Sequence, residues 1–67
     1  MKNNLKVERA ILGLTQEDLA RKIGVSRQTI NAMEANKYVP STVLALRLAK
    51  VFGKRVEDIF QLDESDE

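Results

Sequence analysis

The 67-residue chain has no cysteine and no histidine. That excludes disulfide staples, thiolate metal sites and catalysis by a Cys or His side chain, and it makes a reducing cytoplasm the natural setting. A Gly-rich phosphate loop is also missing. The carboxylates sit in a tail and at helix starts, without the spacing of a metal cage, so no enzyme, metal or cofactor is expected. No apolar run is long enough to span a membrane, and no signal peptide is expected. Proline occurs once and glycine three times, and no low-complexity tract is present. The glycines, Gly13, Gly24 and Gly53, read as helix stops.

What remains is a chain rich in Leu, Ile, Val and Ala, suited to one helical domain. A core of this size is modest and gains from a partner. The net charge of +1 hides an asymmetry. Residues 1–55 hold all 11 Lys and Arg and four acids, a net +7, whereas residues 56–67 hold six acids and no base, a net −6. Such a chain suits a polyanion partner on one side, and equally a solvated body with a frayed acidic end.

The informative stretch runs from Thr15 to Ser41. Thr15 is placed to accept a bond from an unpaired N–H at a helix start, with Asp18 three residues on as a capping-box partner. Leu14 and Leu19 form a hydrophobic staple around that start. Gly24 ends the helix by turning to positive φ. Val25, Ser26 and Ile30 repeat the device at once, so the chain breaks at Ile23-Gly24-Val25-Ser26 and restarts in a new direction. Leu19, Ala20, Ile23, Val25, Ile30 and Met33 point inward. Arg27, Gln28, Asn31 and Ala32 are left outside, on a helix spanning about Arg27 to Ala35. Arg27 can bond a guanine edge, Gln28 and Asn31 an adenine, and Ala32 is short enough to let the helix sit deep in a major groove. Thr29 is placed for a phosphate or a thymine methyl. The bland alternative is an ordinary solvated helix face.

The flanks are plainer. A first helix spans about Asn4 to Leu12, with Leu5 and Ala10 toward the core. A fourth spans about Ser41 to Phe52, with Leu44, Ala45, Leu48, Ala49 and Phe52 at helical spacing. A fifth, about Val56 to Phe60, carries Val56, Ile59 and Phe60, too apolar for an exposed end. These three either cover the core or meet a second copy, and they are the expected dimer interface together with the preceding loop. Met1–Asn4 are either frayed or a short strand whose mate is the alternating Phe60-Gln61-Leu62-Asp63. Residues 1–62 read as one DNA-binding and dimerisation domain, and 63–67 as a disordered acidic tail.

Thr15-Gln16, Leu19-Ala20, Ile23-Gly24-Val25-Ser26, Ile30, Glu34 and Lys37 together resemble the helix-turn-helix of the phage repressor/Cro family, also called Xre. The likeness spans about Leu5 to Phe60. It is strongest to small free-standing regulators of the cytolysin-operon-repressor type, through Asn-Asn-Leu-Lys, Ser-Arg-Gln-Thr-Ile-Asn, Asn-Lys-Tyr and Glu-Asp-Ile-Phe-Gln. The resemblance implies an all-α, five-helix lambda-repressor-like domain with the termini paired antiparallel. It also implies a structural ion pair between Arg9 and Glu34, and Gln16, Lys37 and Tyr38 along the phosphate backbone, although Tyr38 equally suits a half-buried ring. Its function would be sequence-specific transcriptional regulation, as a dimeric repressor on operator DNA. Two departures stand out. Ala35-Asn36 replaces the usual Asn-Gly, and Ile11-Leu12 stand where relatives often carry charge, widening the core or forming a partner surface. The rival reading is a protein-binding adaptor or antitoxin-like partner on the same fold, which an exposed Ile11, Leu12 or Val43 would favour.

Overall fold

Three hydroxyl side chains set three helix starts. Thr15 Oγ1 accepts from the Asp18 N–H at 3.0 Å, Ser26 Oγ from the Thr29 N–H at 3.2 Å, and Ser41 Oγ from the Leu44 N–H at 3.2 Å. Each satisfies a backbone donor that the helix itself leaves unpaired, worth ~1 kcal/mol. The structure, a computed structural model, describes residues 1–67. The elements are β1 (Lys2–Asn3), α1 (Leu5–Ile11), α2 (Gln16–Ile23), α3 (Arg27–Glu34), α4 (Thr42–Phe52), α5 (Val56–Ile59) and β2 (Phe60–Gln61), followed by a 3₁₀ turn at Glu64–Asp66. The capping box at α2 is complete, because the Thr15 N–H donates to Asp18 Oδ2 at 3.0 Å. The Thr15 backbone N–H, and after it the Thr15 hydroxyl, hold the Asp18 carboxyl below its ordinary pKa.

The corner between α2 and α3 is made at Gly24, where φ is +73°. A side chain there would meet no crowding, since the nearest atom is an Arg47 guanidinium nitrogen 3.7 Å from where a Cβ would lie. The demand for glycine is therefore conformational rather than steric. Arg47 also donates to the Ile23 carbonyl at 3.2 Å, so α4 supplies a cation to the C-terminus of α2.

The core comprises Leu5, Leu19, Ala20, Ile23, Ile30, Met33, Leu48, Phe52, Ile59 and Phe60. Leu14, Val25, Leu44, Ala45 and Ala49 pack half-buried against it. Truncating a fully buried member such as Ile30 to Ala should cost ~2–5 kcal/mol. In α1 the inward stripe differs from expectation. Ala10 is exposed, and the buried partner of Leu5 is Glu8. Positions 5, 8 and 9 share one face at i, i+3 and i+4, whereas position 10 turns away. Glu8 is satisfied by the Lys54 ammonium at 3.0 Å.

The termini pair antiparallel, Lys2 opposite Gln61 and Asn3 opposite Phe60. The pairing stops there, leaving Leu62 exposed. Two further expectations bear on this end. Ile59 is wholly buried and Phe60 nearly so; they close the core, which leaves Val56 and an edge of Phe60 as the members of that trio that border a surface groove. The acidic tail, expected to be disordered, is folded as a 3₁₀ turn. Its acids are drawn in by the Met1 ammonium, 3.1 Å from Asp63 Oδ2 and 2.8 Å from Asp66 Oδ2. No helix is long and apolar enough to cross a membrane.

Candidate nucleic-acid interface

The outward face of α3 carries Arg27, Gln28 and Asn31, all exposed, with Ala32 half-buried beside them. With Gln16 from the first turn of α2, Arg27, Gln28 and Asn31 line a groove that has no apolar side chain in its wall. None of the three α3 side chains makes an intramolecular hydrogen bond or ion pair. Their donors and acceptors are therefore available to an outside partner. Arg27 brings a fixed fork of donors, and Gln28 and Asn31 bring a donor and an acceptor each. That is the equipment for bidentate bonds to base edges.

Behind this face the backbone is held firmly. α2 and α3 make the most extensive packing in the molecule. At the far end of α3, Glu34 is gripped by Arg9 of α1: Nε to Oε2 at 2.9 Å and Nη2 to Oε1 at 3.2 Å. The remaining Arg9 nitrogen donates to the Leu14 carbonyl at 3.0 Å. Gln16 Nε2 reaches Glu34 Oε1 at 3.3 Å. The Arg9–Glu34 pair is thus formed, and Gln16 belongs to the same network. Three elements meet at one carboxylate. With both charges largely out of water, the pair contributes orientation more than net stability.

The other predicted contact residues are placed as follows. Thr29 is half-buried, and its hydroxyl lies 3.0 Å from that of Ser26, so it serves the start of α3. Lys37 and Tyr38 lie exposed in the loop after α3, and the Lys37 ammonium makes no intramolecular hydrogen bond or ion pair. That loop begins at Asn36, whose φ of +60° is the one positive value outside glycine. The Lys37 N–H bonds the Ala32 carbonyl at 2.8 Å and the Asn36 N–H the Met33 carbonyl at 3.1 Å, the paired bonds of a Schellman ending.

Residues 5–59 match the helix-turn-helix family. The chain belongs to the Xre/Cro-type helix-turn-helix family of transcriptional regulators. This is a family of regulators and not of enzymes. It is 61% identical, over the full length of both chains, to an uncharacterized HTH-type transcriptional regulator of Methanocaldococcus jannaschii. It is 47% identical to the uncharacterized HTH-type transcriptional regulator YgzD of Bacillus subtilis, over 98% of this chain and all of that one. A Methanothermobacter thermautotrophicus protein of the same description is 51% identical over 96% of this chain and 94% of its own. The likeness to these family members extends beyond residues 5–59 into the paired termini.

Sequence reasoning missed three groups that support the site. Arg47 holds the corner, Glu8 anchors α1 to Lys54, and Asn3 donates to the end of α3. No local pattern marks them, because each acts on a residue far away in the chain.

Proposed function

We propose that this protein represses transcription as a homodimer on operator DNA in the cytoplasm, as a small free-standing regulator of the cytolysin-operon-repressor type. The observation that carries the reading is the exposed α3 face of Arg27, Gln28 and Asn31, chemically unpaired on a rigidly anchored helix. In this reading Arg27, Gln28 and Asn31 take base edges and Ala32 permits close approach. Gln16, Thr29, Lys37 and Tyr38 take phosphates, which position the protein without reading sequence.

The second copy is assigned to the apolar groove where α4 and α5 meet the end of the loop after α3. Val56 stays half-buried there and lines a shallow groove with Met1, Val39, Pro40 and Leu46. Val39, Val43 and Leu46 stand 70%, 57% and 58% exposed beside it. An apolar rim of this kind suits a self-complementary contact and would enlarge a small core. Two-fold pairing presents two α3 helices to half-sites ~34–36 Å apart.

A protein-binding adaptor on the same fold is a second reading. Val7, Ile11 and Leu12 favour it, at 58%, 66% and 49% exposure on and just after α1. Binding to duplex DNA at about 50 and about 200 mM salt separates the two. A regulator that neutralises phosphates weakens with a log–log slope of roughly −0.9 per contact. An absent or salt-indifferent signal assigns the chain to the adaptor class. Selection from a random duplex pool then gives the operator.

A further inference from the structure

We infer that Asn3 is a positioning residue for the loop after the recognition helix: its carboxamide ties the N-terminal strand to the point where α3 stops and Lys37–Tyr38 begin. Its consequence for DNA affinity rests on the reading above; its mechanical part does not.

The Asn3 side chain uses both ends. Nδ2 donates to the Met33 carbonyl at 2.9 Å and to Asn36 Oδ1 at 2.7 Å. Oδ1 accepts the Leu5 N–H at 3.1 Å. The orientation of the amide is forced, since Met33 O can only accept and Leu5 N–H can only donate. Two of these bonds cross 30 and 33 residues of chain. Asn3 is itself held opposite Phe60 in the pair of terminal strands, and Phe60 is part of the core. The grip on the loop therefore runs back to the body of the domain.

The grip falls where the backbone needs it. Asn36 holds a left-handed conformation that a residue with a Cβ adopts at a cost. Glycine there would turn without strain and would offer Asn3 no acceptor. The asparagine that replaces the usual glycine thus exchanges backbone ease for an anchored side chain. The next residue is Lys37, whose free ammonium faces outward from the loop so fixed. This gives the two-residue strand β1 a task beyond closing the termini: it sets where the loop leaves α3.

The test uses Asn3→Ala and Asn3→Asp in the full chain. Aspartate keeps the acceptor for Leu5 N–H and loses the donor to Met33 and Asn36. Amide hydrogen exchange is read first, without DNA. Both variants should speed exchange at Lys37 by about tenfold or more relative to Leu48 in the core. If Asn3→Asp leaves Lys37 as in the native chain, or if all amides speed up alike, the inference is overturned. The second measurement is affinity for duplex DNA across salt. Asn3→Ala should weaken operator and scrambled duplexes by the same factor and reduce the salt slope by roughly 0.9, one phosphate contact. Faster exchange with unchanged affinity and slope would overturn the positioning role. A native chain that binds no duplex would instead strike the function proposed above and leave the exchange result to decide the grip.

Discussion

Two surfaces of this molecule leave opposite kinds of chemistry unsatisfied. Around α3 the exposed side chains without partners are polar: Arg27, Gln28, Asn31 and, in the loop, Lys37. Around α4 and α5 the charged groups are largely consumed internally. Glu8 takes Lys54, Asp58 takes Arg55, and Asp63 and Asp66 take the Met1 ammonium. What stands free there is apolar: Val39, Val43, Leu46 and Leu62. A folded chain satisfies its polar groups and buries its apolar ones, so whatever it leaves undone describes the partner it lacks. Hydrogen-bonding base edges would complete the first surface, and an apolar partner such as a second copy would complete the other.

The contrast can be broken from either side. The largest effect is expected from Glu34→Ala, which strands the Arg9 guanidinium and releases Gln16. Because Glu34 is only 8% exposed and Arg9 17%, thermal or denaturant unfolding should show a loss of roughly 2–3 kcal/mol, below that of a fully buried pair. Arg27→Ala should leave stability within ~0.5 kcal/mol. Measured against scrambled DNA, it should cost the operator ~1–3 kcal/mol of preference, while Lys37→Ala weakens all sequences alike and flattens the salt slope. If Arg27→Ala leaves the operator-to-scrambled ratio intact, the reading face is misassigned. Leu46→Glu addresses the other surface. Sedimentation should show self-association weakened by about 2 kcal/mol, with the helical signal of the chain retained. A dimer indifferent to that change would place the second copy elsewhere.

The smallest effect concerns the tail and pH. The Asp63 carboxyl is held well below its ordinary 3.8, first by the Ser65 hydroxyl and then by the Met1 ammonium. The ammonium is raised above its ordinary 8.0, first by Asp66 and then by Asp63. A depressed carboxyl contributes above its unfolded pKa and loses that contribution as pH falls through its folded one. A raised amine contributes below its unfolded pKa and loses that contribution as pH rises through its folded one. The 3₁₀ turn should therefore stay closed between about pH 4 and pH 8 and open toward either extreme. Amide shifts at Ser65 would follow it, and shifts that stay flat across the range would remove the ion pair as the cause of closure.

Much of the helix-turn-helix was legible because its signals are local. The capping hydroxyls Thr15, Ser26 and Ser41, the turn at Gly24 and the inward set from Leu19 to Met33 all act within one or two helical turns of themselves. Family likeness supplied the distant Arg9–Glu34 pair, which no spacing rule would find. The misreadings fall where burial depends on how elements are set against one another. Ala10 looked inward, but Leu5 and Glu8 take the buried face of α1, and Glu8 is held there by Lys54. Whether Ile59 and Phe60 covered the core or met a second copy stayed open until α5 was laid across the core. The tail looked like frayed chain until a cation stood beside it.

The amino-acid order alone therefore determined the helix ends to within a residue and which residues share the outer face of α3, since backbone capping and a 3.6-residue period require only near neighbours. Tertiary structure decided the rest: that Glu8 is buried, that Ile59 and Phe60 face inward, and that Asn3 reaches Met33 and Asn36. The bonds of Glu8 and Asn3 join residues 30 to 46 positions apart, and their geometry exists only once helices and strands have been placed in three dimensions.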